Sequence, residues 1–121
     1  MKVQRLTKTA LDNLLTGNIT QAATCVVKFY SNNCHLCHNL KEYYEELAEA
    51  REYENLHFFA FNVDDHPEVE RQLKFDGVPT ISVIKSGIAK PTVQILEEPS
   101  QPSEHTWYKI RDIKKFIERE K

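Results

Sequence analysis

"VVKFYSNNCHLCHNLKEYYEELA", residues 26–48, joins two patterns of different period around a pair of cysteines. The approach, "TCVVKFYS" (24–31), is β-branched and aromatic with apolar residues on both parities. That pattern predicts a central strand buried on both faces. Beyond the cysteines, Leu40, Tyr43, Tyr44, Leu47 and Ala48 recur at three- and four-residue steps and predict a helix from Cys37 to about Tyr53. Cys34 therefore stands at the junction, at a helix N-terminus where free N–H groups and the macrodipole favour an anion. A thiolate is stabilised there, and the thiolate is the nucleophile. The three-residue spacing sets Cys37 one helical turn away, so a small disulfide ring can close.

The letters Cys34-His35-Leu36-Cys37-His38 fit two other chemistries, half a zinc site and a c-type haem attachment. Zinc usually takes four ligands. Beyond the two cysteines and one adjacent His, the fourth must be Cys25 in the strand or a distant His57, His66 or His105, and no second C-x-x-C or H-x₃-H exists. Haem needs room for a macrocycle between two buried-type elements, with Met1 the sole methionine. Strand, C-x-x-C and helix together favour a redox dithiol, with no cofactor. A metal-binding scaffold built on Cys34, Cys37 and a His is a competing reading.

The chain of 121 residues suits one domain, 1–121. Its net charge of −2, with no Lys/Arg cluster, excludes a basic footprint for nucleic acid. No run of eighteen apolar residues is present to span a membrane. "MKVQRLTKTALDNLL" lacks the apolar core of a signal peptide. Three cysteines are too few, and odd in number, for a secreted disulfide scaffold. A cytosolic, monomeric protein is expected.

Outward from the dithiol, "KVQRLT" (2–7) reads as a short edge strand and "TKTALDNLLTGN" as a helix with a Thr cap, ending near Gly17. "LHFFAFNV" (56–63) is a second buried-type strand. "DDHPEVERQLKF" offers Asp and Pro as cap and first-turn residues of another helix. "TISVIKSG" (80–87) and "PTVQIL" (91–96) predict two antiparallel strands, and "EEPSQPSE" (97–104) a solvated loop. Ile110, Ile113, Phe116 and Ile117 form the stripe of a closing helix. Trp107 and Tyr108 belong either to that helix or to an extended last strand. The order β-α-β-α-β-α-β-β-α implies a mostly parallel α/β sheet with helices on both faces.

With "VVKFYSNNCHLCHNLKEYYEELA" followed by "FFAFNVDDHPEVERQLKFDGVPTISVIKSG", the chain resembles the thioredoxin family over roughly residues 2 to 96, and its final helix fits as well. Two motifs carry the resemblance: strand–C-x-x-C–helix, and "GVPT" (77–80) leading into a strand. It implies a thioredoxin fold, a three-layer α/β/α sandwich on a mixed five-stranded sheet. It implies that Pro79 is cis and faces the dithiol, with Val78 presenting backbone groups to a substrate chain. It also implies a thiol–disulfide oxidoreductase acting on protein disulfides, reductase in preference to isomerase or oxidase. Cys34 would attack, Cys37 would resolve, and a separate disulfide reductase would recycle the dithiol. A redox-inert binding module on the same fold is the rival from another class.

Several positions depart from the family pattern. Its usual Trp before the first Cys is Asn33, its Gly-Pro between the cysteines is His35-Leu36, and its buried acid six residues before the first Cys is Lys28. The Lys that usually pairs with that acid falls near Ala60. A Gly-containing turn after the last strand is replaced by the longer "EEPSQPSEHTW" (97–107). His35 or His38 is expected to help lower the Cys34 pKa. A His inside the pair leans towards a less reducing protein, because stabilising the thiolate makes the disulfide a better oxidant. Lys28, under the site, must pair, reach water or neutralise. As a neutral amine it would be a base for Cys37; as a cation it would favour the Cys37 thiolate. Cys25 lies on the opposite strand parity and reads as a buried spectator.

Overall fold

The fold is known from a computed structural model that describes residues 2–87 and 89–121, so Met1, the haem reading's sole methionine, lies outside the described residues. Five strands form one mixed sheet: β1 (Val3–Arg5), β2 (Ala23–Tyr30), β3 (His57–Asn62), β4 (Thr80–Ser86) and β5 (Thr92–Ile95), in the order β1-β3-β2-β4-β5. β1 and β2 both run parallel to β3, whereas β4 pairs antiparallel with β2 and with β5. The strands with apolar residues on both parities, β2, β3 and β4, are interior, and the short ones, β1 and β5, are edges. Four helices complete the chain: α1 (Lys8–Thr16), α2 (His35–Glu49), α3 (Glu68–Leu73) and α4 (Ile110–Glu120).

The parity of β2 sorts the core into two layers. Cys25, Val27 and Phe29 pack with Leu11 and Leu14 of α1 and Val69 of α3. Val26 packs on the other face with Leu40, Tyr44 and Leu47 of α2 and Ile113, Phe116 and Ile117 of α4. Helices therefore cover both faces, as the three-layer reading requires. Lys28 shares the parity of Val26 and so lies under α2, while Cys25 is buried in the opposite layer.

Local chemistry sets the helix ends. Thr7 caps α1, its Oγ1 accepting from Ala10 N at 3.1 Å, and Gly17 closes it in the left-handed region at φ 80°. Thr7→Ala is expected to cost about 1 kcal/mol, read as a lower urea midpoint at unchanged slope. Two expectations shift. α2 ends at Glu49 and not near Tyr53, because Ala50 turns extended and residues 51–53 form a 3₁₀ turn that carries Tyr53 into the core beside Phe58. α3 has no side-chain cap, because its N-cap position is Pro67, whose ring offers no acceptor; Asp64 instead accepts from Asn32 N at 2.8 Å and Asp65 pairs with Arg5 at 3.1 Å.

Candidate active site

The segment entering α2 is pinned by short polar side chains. Asn32 N donates to Asp64, its Oδ1 accepts from Asn62 Nδ2 at 2.9 Å, and its carbonyl accepts from His38 Nε2 at 2.9 Å. This anchorage fixes where the chain turns from β2 into the helix, and so where Cys34 sits. None of these contacts was expected from the sequence, because the partners lie up to 32 positions apart. His38 is thereby a brace for the loop. His35 is exposed, and its side chain makes no hydrogen bond among the described residues.

Cys34 occupies the N-cap position of α2, and the Cys37 backbone N–H points at its Sγ from 3.1 Å. The two cysteines are joined as a disulfide, with Cα atoms 5.2 Å apart. Cys34 is half-buried while Cys37 is 3% exposed, so an incoming sulfur meets Cys34 first. The helix-end N–H aimed at Cys34 Sγ favours negative charge on that sulfur in the reduced form. Among the described residues, no group of three or more His, Cys, Asp or Glu side chains gathers as a metal site.

Val78 and Pro79 face this pair across the junction between Gly77 and β4. Their peptide bond is cis, and the Val78 carbonyl oxygen lies 3.8 Å from Cys34 Sγ. In the disulfide this is a contact only, because no S–H is present to donate. Gly77 holds φ 92°, and its carbonyl accepts from Thr80 Oγ1 at 2.8 Å, which fixes the turn.

Lys28 approaches from the other side. It is 5% exposed, and its Nζ lies 5.1 Å from the Tyr44 ring centre and 5.7 Å from that of Tyr30. Among the described residues it has neither a hydrogen bond nor an ion pair, so burial pulls its pKa down to about 8, against the opposing field of Glu45. A cavity of about 250 Å³ opens beside it, with Cys37 and His38 in the same wall. Lys28 and Cys37 thus share a space that Cys34 does not line.

A groove of about 210 Å³ runs along the outer side, lined by Leu36, Val78, Pro79, Trp107, Asp76 and Glu98. Trp107 and Glu98 come from the long 97–107 segment, which is more structured than the expected solvated loop. Ser103 and Trp107 exchange backbone hydrogen bonds of 2.8 and 2.9 Å, and the Trp107 indole donates to Glu98 at 2.7 Å. Asn39 of α2 donates to the His105 carbonyl at 2.8 Å, tying the segment to the dithiol helix. Trp107 belongs neither to α4 nor to β5; it sits at φ 65° in this bridged turn.

The family model Thioredoxin matches residues 2–104. Among solved structures, the chain is similar to Fasciola hepatica thioredoxin at 24% identity and TM-score 0.67, over all of both chains. It is similar to a mutant thioredoxin from Halobacterium salinarum at 21% identity and TM-score 0.64, covering 97% of this chain and 88% of that one. It is also similar to the J-Trx1 fragment of ERdj5 at 20% identity and TM-score 0.67, where it is covered over 98% of its length but spans about half of that longer chain, 49%. At these identities the structural likeness bears on the fold alone.

Proposed function

The chain belongs to the thioredoxin family, and on that premise we propose that it is a protein-disulfide reductase in which Cys34 attacks and Cys37 resolves. Its chemistry in general is thiol–disulfide exchange, since a family dithiol stands at disulfide distance. The observation that carries the finer reading is the asymmetry of the pair. Cys34 is the accessible sulfur with a helix N–H aimed at it, while Cys37 is buried one turn behind.

The Cys34 thiolate attacks one sulfur of a substrate disulfide, forming a mixed disulfide and expelling the other substrate sulfur as a thiolate. Cys37, deprotonated, then attacks Cys34 Sγ. The Cys34–Cys37 disulfide forms and the second substrate thiol leaves. The substrate gains two electrons, and a separate disulfide reductase returns two to the protein. The substrate chain lies along the groove, its backbone meeting Val78 and its side chains meeting Leu36 and Trp107. His35, at the exposed start of the helix, and Lys28, beside Cys37, tune the two sulfurs. A reducing compartment, the cytosol, is the matching home.

The test is the redox equilibrium of the pair in graded glutathione buffers, read by mass after thiol trapping. A reductase is expected near about −270 mV; a midpoint nearer about −180 mV indicates an isomerase-like poise. Absence of any two-electron transition overturns the proposal in favour of a redox-inert module.

A further inference from the structure

Lys28 is the only charged side chain among the described residues that is withdrawn into the core. Its ammonium has three N–H donors and no protein acceptor among those residues. The ring faces of Tyr44 and Tyr30 offset part of the cost of burying it but accept no hydrogen bond of ordinary strength. A charge so placed calls for an anion or for water.

The cavity in front of it carries more cationic than anionic side chains. Its remaining charged wall residues are Lys41 and Arg5, both cationic, against the single carboxylate of Glu45. Arg5 is already paired with Asp65, so it acts at the rim. Val3, Ala60, Cys37 and the two tyrosines are the apolar part of the lining, with Gln4 and His38 as its further polar members. At about 250 Å³ the space is just under the ~300–1,000 Å³ of pockets for drug-sized ligands. We propose that this cavity binds a small carboxylate with a flat apolar body, the carboxylate on the Lys28 ammonium and the body against Tyr30, Val3 and Ala60. Inorganic phosphate has no apolar body to cover Val3, Tyr30 and Ala60, so an apolar carboxylate gains burial that phosphate does not.

Occupancy has a consequence that rests on the redox reading above. Cys37 lines the cavity and Cys34 does not. A bound carboxylate places negative charge beside the resolving thiol and raises the cost of its thiolate. The occupant therefore slows release of the mixed disulfide and leaves the first attack untouched.

Sodium benzoate and sodium phosphate, titrated separately into the oxidised full chain and followed by amide NMR, test the site. Saturable benzoate shifts around Val3, Lys28, Lys41 and Ala60 are expected, with at least a ten-fold loss of affinity in Lys28→Met and a two- to three-fold loss in Lys41→Met. No saturable shift, equal affinity in Lys28→Met, or phosphate binding as well as benzoate overturns the proposal. Should Lys28→Met not fold, unchanged affinity in Lys41→Met serves as the negative result. On the reduced protein, saturating benzoate is expected to lengthen the mixed-disulfide lifetime several-fold without changing its rate of formation. If the dithiol undergoes no exchange at all, the redox reading fails, while the binding titration still decides the site.

Discussion

Cys37→Ser is expected to convert the protein into a trap: a mixed disulfide with Cys34 accumulates, and turnover falls by on the order of a thousand-fold or more. The group that favours the Cys34 thiolate is the backbone N–H of residue 37, 3.1 Å from Sγ, and serine keeps it. The first attack should therefore proceed within a few-fold of its normal rate. Release then depends on an external thiol. A well-placed intramolecular group acts at effective molarities of about 10⁵ M or above, which millimolar glutathione does not approach. Cys34→Ser should give no adduct, because the two remaining thiols, Cys37 and Cys25, are buried and lie beyond reach of a bulky substrate. Mass spectrometry of the two variants after exposure to a peptide disulfide checks this. An adduct on Cys34→Ser and none on Cys37→Ser would reverse the assigned roles.

What the sequence disclosed and what it hid follow one physical line. The change of period from "TCVVKFYS" to "NLKEYYEELA" is local, so the strand, the helix and the place of Cys34 between them were legible. Strand parity likewise put Cys25 and Lys28 in opposite layers, as found. Contacts between distant residues were not legible. The Asp and Pro of "DDHPEV" read as cap and first turn, yet Pro67 itself takes the N-cap position and Asp64 accepts from the Asn32 amide of another loop. The 97–107 segment has the composition of a solvated loop, but Asn39 and the Ser103–Trp107 bridge fold it back against the dithiol helix. The two histidines look equivalent in "CHLCH", and only their positions on the first turn of α2 separate them. His38 turns back to the Asn32 carbonyl, and His35 faces outward. The cavity beside Lys28 has no sequence signal at all, since it arises from what the neighbouring elements fail to fill.

Below pH 8, Lys28→Met is expected to be more stable than the natural protein, by up to about 3 kcal/mol, and the gap should close as pH rises. The Lys28 pKa is about 8 in the fold against an ordinary 10.5, and 2.5 units at about 1.36 kcal/mol each set that ceiling. Between pH 8 and 10.5 the unfolded chain holds a proton that the folded one has lost, so the natural protein gains stability across that window. Other groups act in the opposite sense. Burial raises the Cys25 thiol to about 11 and the Tyr53 and Tyr108 hydroxyls to about 12, so these groups hold protons more tightly folded than unfolded and erode stability above about pH 9. They are present in both proteins and cancel in the difference. Urea unfolding of the oxidised proteins at pH 7, 8, 9 and 10 measures it, and a gap that does not change with pH would refute a desolvated ammonium. Methionine also keeps a flexible apolar stem against Tyr30 and Tyr44, so packing is largely retained. Function should move the other way. With the cation gone from the cavity it shares with Cys37, resolution of a mixed disulfide is expected to slow about ten-fold, the equivalent of one pKa unit on the resolving thiol. Both effects together would mark a charge that serves the second chemical step at a cost to the fold. If Lys28→Met gains stability with no loss of resolution rate, the ammonium has no part in the exchange.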